Sequence, residues 1–206
     1  MAFPKESQSN MNSLTRAWLT HLHRRKFARL GKRCQFPIPQ LHVEGHVEMG
    51  DRCRFRDNVT LRTYGEGKII FSNRSGCSWG CLVEAVTQIN IGEYTAIAEY
   101  SVISDIERPL WGNQDGPGTP KTGRPINIGP EVFIGNGCFI GPGVTIGRGA
   151  VIAHNSIVLG DVGPLEIWAG TPARRIAHRT KGVPALKMAE FKRLVAEQGI
   201  QSDRYQ

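Results

Sequence analysis

Side chains that could transfer a proton or bind an anion gather in one short stretch of the sequence, "ISDIERPLWG" at residues 103–112. Asp105 and Glu107 each carry a carboxylate that could take a proton from an attacking hydroxyl if burial increased its basicity, although the neighbouring Arg108 would decrease it. Arg108 itself is effectively always protonated and cannot act as a base at neutral pH. The stretch therefore predicts a site but leaves the identity of a base open.

Histidine is the most frequent base in proteins, and His154 is the one histidine between residues 128 and 162. Its place outside the apolar pattern described below indicates a surface or ligand contact more than a base. The other interpretation is that His154 itself acts as the base. His42 and His46 come much earlier in the chain, and we expect them to lie too far away.

Two further residues near the stretch could bind an acceptor molecule. Trp111 offers an aromatic face that suits a sugar, although it could equally pin the segment to a neighbouring subunit. Arg124, together with Arg108, could hold an anionic acceptor such as an acidic sugar.

The elements that must position these residues follow from a six-residue repeat. From residue 128 the chain reads "INIGPEV FIGNGC FIGPGV TIGRGA VIAHNS IVLGDV". A period of six fits neither a helix, whose apolar stripe recurs every 3.6 residues, nor a long strand, which alternates by two. It fits short strands joined by tight corners. Aliphatic residues recur at Ile128, Ile134, Ile140, Ile146, Ile152 and Val158, and small or branched ones at Val132, Cys138, Val144, Ala150, Ser156 and Val162.

The same period occurs in the first half of the chain, where insertions reset its phase. It begins at Val43 and is interrupted around "RTYGEGK", around "AVTQ" and at residues 104–125, which are rich in Gly and Pro and which we predict to be a long loop without strand or helix. Such repeats bury their apolar edges only by stacking on one another. Four of the five cysteines fall on inward positions, which predicts that they are core residues rather than nucleophiles: Cys53, Cys77, Cys81 and Cys138.

This pattern resembles the hexapeptide-repeat acyltransferases over about residues 43–178, which implies an all-β fold, the left-handed parallel β-helix. The segment from "GRPI" to "GTPARRI" is similar to the maltose and galactoside O-acetyltransferase group and its xenobiotic and polysaccharide-modifying relatives. We expect three regions: a basic arm and helix at 1–40, the β-helix at 41–178, and a C-terminal helix with its tail at 179–206. The first helix is predicted over 13–30 and the second from Pro184 to Gly199.

The resemblance implies a homotrimer that uses acetyl-CoA as co-substrate, with a carbohydrate acceptor and without a metal. By position it assigns CoA phosphate contacts to Arg174, Arg175 and Arg148, and a pantetheine groove to the backbone around Gly135, Gly141 and Ala153. In that family a histidine acts as the base just after a segment like "IAEYSVISD", and here Arg108 or a deletion occupies its place. The usual mechanism therefore lacks its base in this sequence.

Three functions remain open from the sequence. The first is an O-acetyltransferase for a sugar or a cell-surface polysaccharide precursor. The second is an N-acetyltransferase of an amino sugar nucleotide, and the third is a catalytically impaired, CoA-binding trimeric scaffold. A carbonic anhydrase of the same fold would need three convergent histidines on zinc, which the central repeats lack.

Charge and hydropathy bear on the partners and the location of the chain. The net charge is +8, and residues 16–33 contain seven basic side chains and no acid. This arm could cap the first coil or contact an anionic membrane surface, and we expect no nucleic-acid partner. Because the N-terminal region has no uninterrupted apolar segment, we expect a cytoplasmic protein. Peripheral contact with the inner face of the membrane is compatible with this location.

Overall fold

The chain winds into a three-sided prism of parallel strands, a left-handed β-helix as the repeat predicts. This computed structural model describes residues 24–37, 40–107 and 121–179. Each coil contributes one strand to each of three parallel sheets. We call these sheets faces A, B and C, in the order in which the chain passes through them. The edges between them are the A–B, B–C and C–A edges.

Face A contains six strands in the order β1, β3, β6, β9, β14, β17. Face C contains β2, β5, β8, β11, β16 and β19. The bounds on face A are Arg29–Leu30, His46–Met49, Lys68–Phe71, Gln88–Ile91, Ile126–Ile128 and Thr145–Ile146. Those on face C are His42–Glu44, Thr60–Thr63, Leu82–Ala85, Val102–Ser104, Phe139–Ile140 and Ile157–Val158.

Face B contains β4, β7, β10, β15, β18 and β20, and β21 pairs antiparallel with β20 to close the sheet. Two further strands, β12 and β13, form an antiparallel pair outside the prism. The bounds on face B are Arg54–Phe55, Gly76–Cys77, Ala96–Ile97, Phe133–Ile134, Val151–Ile152, Glu166–Gly170 and Ala173–His178. The outer pair is Ile106–Glu107 and Thr122–Gly123.

The predicted inward positions form the core. The aliphatic residues of the repeat are almost fully buried in one continuous cluster that runs the length of the prism. Phe55 and Phe71 pack edge to face in the upper coils, with ring centroids 4.9 Å apart. Cys53, Cys77, Cys81 and Cys138 are buried and unpaired by disulfides, as predicted, whereas Cys34 is half-buried.

Small polar residues at inward positions satisfy their hydroxyls within the corners. Thr95 donates to the carbonyl of Gly129, and Ser101 donates to the carbonyl of Gly135, each at 2.8 Å. Because these bonds join neighbouring coils, burial of the hydroxyl leaves no unpaired donor. They explain why the repeat tolerates Ser and Thr in place of an aliphatic residue.

The corners require left-handed backbone at one fixed position. On the A–B edge this residue has φ of 57 to 62° in Arg33, Arg52, Arg74, Tyr94 and Glu131. Non-glycine residues rarely adopt this conformation, so the coil-to-coil hydrogen bonds must compensate for it. For example, the amide of Arg52 donates to the carbonyl of Lys32 at 2.8 Å.

Two expectations differ from the structure. β1, at Arg29–Leu30, lies inside the segment predicted as a helix over 13–30. It pairs in parallel with β3, so the prism begins one coil before the first predicted repeat. The segment predicted as a loop at 104–125 contains the antiparallel strands β12 and β13. Residues 13–23 of the predicted N-terminal helix and the helix from Pro184 to Gly199 lie outside the described residues. No helix in the described residues is long and apolar enough to cross a membrane.

Candidate functional site

The C–A edge carries the insertions that interrupt the repeat, stacked on one another. Tyr64–Gly67 and Val86–Thr87 widen the corner in two successive coils, and in the next coil the chain leaves the prism after β11 and returns at β14. β12 and β13 form the base of this excursion, which we call the hairpin. The ammonium of Lys121 lies 4.9 Å from the ring centroid of Tyr64, so the hairpin base contacts the corner two coils above.

Asp105 anchors the hairpin to the coil above it. The side chain is fully buried, and its Oδ1 accepts from the amide of Val86 at 2.7 Å. Its Oδ2 accepts from both the amide and the hydroxyl of Thr87, at 2.8 and 2.6 Å. With both oxygens engaged away from solvent, Asp105 fits a structural role better than the role of a base.

Glu107 and Arg124, which the sequence placed in different roles, form an ion pair across the hairpin base. Arg124 Nε lies 2.6 Å from Glu107 Oε1, and both side chains are exposed. Arg124 also lies over Gly143, where an added Cβ would come within 2.8 Å of Nη1. The pair joins β12 to the segment between β13 and β14, so both side chains are engaged. Arg108 and Trp111 lie outside the described residues.

Glu84 and Ser104 form a buried polar pair at the foot of the hairpin, which sequence reasoning missed. Glu84 follows the inward Val83 and points away from the core, yet it is only 6% exposed. Ser104 donates from Oγ to Glu84 Oε1 at 3.0 Å, and the register sets the two residues directly opposite on β8 and β11. The available signal was an acid at an outward strand position directly before the "AVTQ" insertion.

His154 lies on the B–C edge, away from the hairpin. The amide of Asn136 donates to His154 Nδ1 at 2.9 Å, so Nδ1 is an acceptor and the neutral ring carries its proton on Nε2. The ring also packs edge to face on Phe133, with centroids 6.4 Å apart. A neutral imidazole in this tautomer presents a donor to solvent, so the geometry does not suit a general base.

Glu99 lies on the same edge as His154, two coils above it. The hydroxyl of Ser78 donates to Glu99 Oε1 at 2.7 Å. This hydrogen bond is the main reason that the pKa of Glu99 lies below its ordinary value, with a smaller contribution from the hydrogen bond of its own amide. The B–C edge therefore favours an ionised Glu99.

Packing within the chain requires a glycine at Gly135, where a Cβ would meet backbone, but less so at Gly141, where it would meet the end of the exposed Leu159 side chain. A Cβ on Gly135 would lie 2.7 Å from the amide nitrogen of His154, and one on Gly141 would lie 2.9 Å from Leu159 Cδ2. Gly135 and Ala153 stack on the B–C edge, whereas Gly141 lies on the C–A edge. A single chain does not bring them together in one groove.

The arginines assigned to CoA phosphates also separate. Arg148, on the A–B edge, donates to Glu131 at 2.7 Å, whereas Arg174 and Arg175 lie on β21 with exposed side chains. Arg175 forms a loose ion pair with Glu166, with Nη1 3.7 Å from Oε1. Arg174 and Arg175 are thus the better placed of the three to bind a phosphate.

The structure therefore divides the predicted site residues among three edges. Asp105, Glu107 and Arg124 lie with Gly141 on the C–A edge, His154 lies on the B–C edge, and Arg148 lies on the A–B edge. Within the described ranges, no group of three or more His, Cys, Asp and Glu side chains could hold a metal ion.

Comparison with known proteins agrees with this architecture. Residues 125–160 match the family model described as bacterial transferase hexapeptide (six repeats). No curated protein sequence matches the chain.

Solved structures share the fold over most of the chain. A serine-to-alanine variant of AntD, an N-acyltransferase from Bacillus cereus in complex with dTDP-4-amino-4,6-dideoxyglucose and coenzyme A, is 20% identical. The alignment has a TM-score of 0.71 and covers 87% of this chain and 96% of that one. A hexapeptide-repeat acetyltransferase from Vibrio cholerae O1 biovar eltor, complexed with acetyl-CoA, is 25% identical, with a TM-score of 0.54 and coverage of 82% and 81%.

A galactoside acetyltransferase in complex with coenzyme A is 23% identical, with a TM-score of 0.56 and coverage of 83% and 74%. The repeat, the three parallel faces and these alignments indicate the same architecture. Residues 125–160 are bacterial transferase hexapeptide repeats, and the chain has the left-handed β-helix fold of the hexapeptide-repeat acyltransferases.

Proposed function

We propose that the protein is an acetyl-CoA-dependent O-acetyltransferase that acts on a sugar or a cell-surface polysaccharide precursor. The observation that carries this proposal is the position of the hairpin, which leaves the prism beside the buried Glu84–Ser104 pair and returns directly into residues 125–160. Two proteins of similar fold, both acetyltransferases, were crystallised with acetyl-CoA or CoA. A rigid prism suits a two-substrate reaction because it fixes both partners in one geometry.

CoA would be held at its phosphates by Arg174 and Arg175 of β21. Both side chains are exposed, and within the part of the chain that the structure describes Arg175 has one acid partner, the loose ion pair with Glu166 at 3.7 Å. Charge-assisted hydrogen bonds from arginine to phosphate are among the strongest polar contacts in proteins. Gly160, in "LGDV", supplies no further basic group.

The reaction requires one proton acceptor. The acceptor hydroxyl attacks the thioester carbonyl carbon, a C–O bond forms, the C–S bond breaks, and the thiolate of CoA leaves while the hydroxyl proton passes to a base. Glu84 is our candidate for that base. Its carboxylate lies at the foot of the hairpin, where the hydroxyl of Ser104 donates to Oε1. Asp105 holds the corner, and His154 presents a donor.

A homotrimer would complete the site. In one chain the hairpin lies on the C–A edge, while Arg174 and Arg175 belong to the last strand of face B. Trimer formation would place the hairpin of one subunit against face B of the next and so bring base and cofactor together. We propose this assembly, a cytoplasmic location, and peripheral membrane contact through the basic residues 16–33.

The second candidate is N-acyl transfer to an amino sugar nucleotide. The AntD structures align with higher TM-scores, 0.68 to 0.71, and two of them contain an amino sugar nucleotide with coenzyme A. A neutral amine has a nucleophilic lone pair and needs a base less than a hydroxyl does. This agrees with a sequence that has no histidine between His46 and His154.

One experiment separates these candidates and the scaffold alternative. CoA release from acetyl-CoA is followed with simple sugars, amino sugars and nucleotide-linked amino sugars, while calorimetry measures CoA binding. Turnover with hydroxyl acceptors supports the first proposal, and turnover restricted to amines supports the second. CoA binding without turnover on any acceptor would leave the scaffold, and absence of CoA binding would exclude all three.

A further inference from the structure

In the first coils of the prism, the A–B edge carries a row of basic side chains. Lys32, Arg33, Arg52 and Arg74 occupy the corners of three successive coils, and all four are exposed. Arg29 on face A and Arg54 on face B flank the row and are exposed too. We call these six residues the basic ridge.

Coil stacking fixes the spacing of the ridge. The amide of Arg52 donates to the carbonyl of Lys32, and the amide of Arg74 donates to the carbonyl of Asp51, each at 2.8 Å. Successive arginines are therefore one strand spacing apart, about 4.8 Å. Like charges at this separation repel one another, so the row is not explained by stability.

Acids do not neutralise the ridge. Within the described residues, no carboxylate lies within 4.0 Å of a side-chain nitrogen of Arg33, Arg52 or Arg74. Asp51, the one acid at these corners, accepts a hydrogen bond from the backbone amide of Lys32. The three corners therefore hold four basic residues against one acid, a net charge of 4 − 1 = +3.

Further along the A–B edge, towards the C-terminal coils, the row of basic side chains ends. Tyr94 follows Arg74 at the next corner, 51% exposed, with the Arg74 guanidinium 5.2 Å from its ring centroid. One coil below, the corner carries Glu131, which pairs with Arg148. Along the A–B edge of the described residues, basic side chains without a nearby carboxylate are thus grouped at one end, the end at which the N-terminal arm enters.

The sequence before the ridge indicates what kind of anionic surface it meets. Residues 16–33 contain no acid, and the preceding segment spaces Leu14, Trp18 and Leu22 four residues apart. Apolar residues at this spacing beside basic ones are typical of segments that lie in a membrane interface. Tyrosine also favours that interface, so Tyr94 at the end of the ridge fits a bilayer better than a nucleic acid.

We propose that the basic ridge binds the surface of an anionic phospholipid bilayer and fixes the orientation of the prism on it. The arm by itself would tether the chain without orienting it, since a single weak anchor gives reversible binding and a polybasic patch adds the second contact. The rigid corners of the ridge add that contact at a defined edge. This inference does not rest on the proposed acetyl transfer.

Vesicle co-sedimentation tests the proposal with the full chain. We expect binding to phosphatidylcholine vesicles that contain phosphatidylglycerol, weakened by salt, and not to phosphatidylcholine alone. The double variant Arg52→Gln/Arg74→Gln should lower the partition coefficient about 25-fold, since each basic residue near the surface contributes about fivefold. Arg52→Lys/Arg74→Lys should restore it because the charges return.

The matched control removes the same charge from the C–A edge with Lys68→Gln/Lys121→Gln, and it should change the partition much less. Equal loss in both double variants would show a net-charge effect and overturn the proposal. Loss of the native oligomer on light scattering in the Arg52→Gln/Arg74→Gln variant would show a subunit contact instead. Tighter binding to duplex DNA or RNA than to the anionic vesicles at equal salt would identify the ridge as a nucleic-acid surface.

Discussion

Ser104 donates a 3.0 Å hydrogen bond to Glu84 between neighbouring coils, and both side chains are almost completely buried at the foot of the hairpin. The pair lies on the outer side of face C, where the repeat alone predicts solvent-exposed residues. Burial of a charged group outside the core requires either a structural or a catalytic reason.

Replacing the Glu84 carboxylate with a group that cannot act as a base tests whether Glu84 is buried for catalysis. If Glu84 takes the proton of the acceptor hydroxyl, Glu84→Gln should lower kcat by at least about 100-fold with hydroxyl acceptors and leave the KM for acetyl-CoA unchanged. Glu44→Gln is the control, because Glu44 occupies the equivalent outward position two coils above and pairs with Arg62. A kcat within about twofold of wild type in a folded Glu84→Gln protein would remove Glu84 from the mechanism.

Asp105 should prove structural. Asp105→Ala leaves two amides and a hydroxyl without their acceptor, and each buried unsatisfied group costs about 1 to 3 kcal/mol. We therefore expect a loss of several kcal/mol in the free energy of unfolding, measured by urea denaturation. Thr87→Val removes only the hydroxyl bond and should cost about 1 kcal/mol. A stable Asp105→Ala protein without activity would return Asp105 to the list of bases.

His154 should be dispensable as a base. The amide of Asn136 fixes Nδ1 as an acceptor, so ¹⁵N chemical shifts should report the tautomer protonated on Nε2 at neutral pH. His154→Asn keeps an acceptor near the same amide and should retain kcat within about threefold. Observation of the opposite tautomer, together with a loss of about 100-fold in kcat, would restore His154 as the base.

The hydrogen bond from Ser78 to Glu99 should make stability depend on pH. Because the bond lowers the pKa of Glu99 in the folded state below 4.5, its contribution is present above the unfolded value and disappears as the pH falls through the folded value. Ser78→Ala should therefore cost about 0.5 to 1 kcal/mol near pH 7, the modest value expected of a partly exposed pair.

The same substitution should cost less at an acidic pH below the folded pKa of Glu99, because the carboxylate is then protonated in both states. Urea denaturation at both pH values measures the difference. Glu99→Gln is the background in which the pH dependence of Ser78→Ala should vanish. An equal cost at both pH values would show that the hydroxyl stabilises the corner independently of the charge of Glu99.

Cys34 should be the one reactive thiol of the native protein. Cys53, Cys77, Cys81 and Cys138 are buried, whereas Cys34 is half-buried. A hydrogen bond from Cys53 is the main cause that lowers the pKa of Cys34 to about 7, against the opposing effect of burial.

An aromatic disulfide reagent should therefore modify one thiol quickly, with a rate that rises as the pH passes through about 7. Cys34→Ser should abolish this fast phase, and the same variant suits the CoA-release assay because its background is lower. Fast modification of further thiols in the Cys34→Ser protein would contradict the burial of the other four.

The sequence was sufficient for the architecture because the repeat is local. A period of six with aliphatic residues from Ile128 to Val158 excludes helix and flat sheet, and the structure confirms both the prism and the buried cysteines. The start of the excursion near residue 104 was also readable, since the apolar period stops there. The strands β12 and β13 were not, because two-residue pairings leave no periodic signal.

Which edge a residue occupies was decided only by the tertiary structure. Every hexapeptide has the same pattern, so the edge depends on how each insertion shifts the count of corners, and the sequence does not show that shift. For this reason the sequence left both Asp105 and His154 as candidates for one site, although they lie on different edges. The burial of Glu84 and the alignment of Arg33, Arg52 and Arg74 likewise arise from stacking of coils that are about twenty residues apart, which local sequence does not encode.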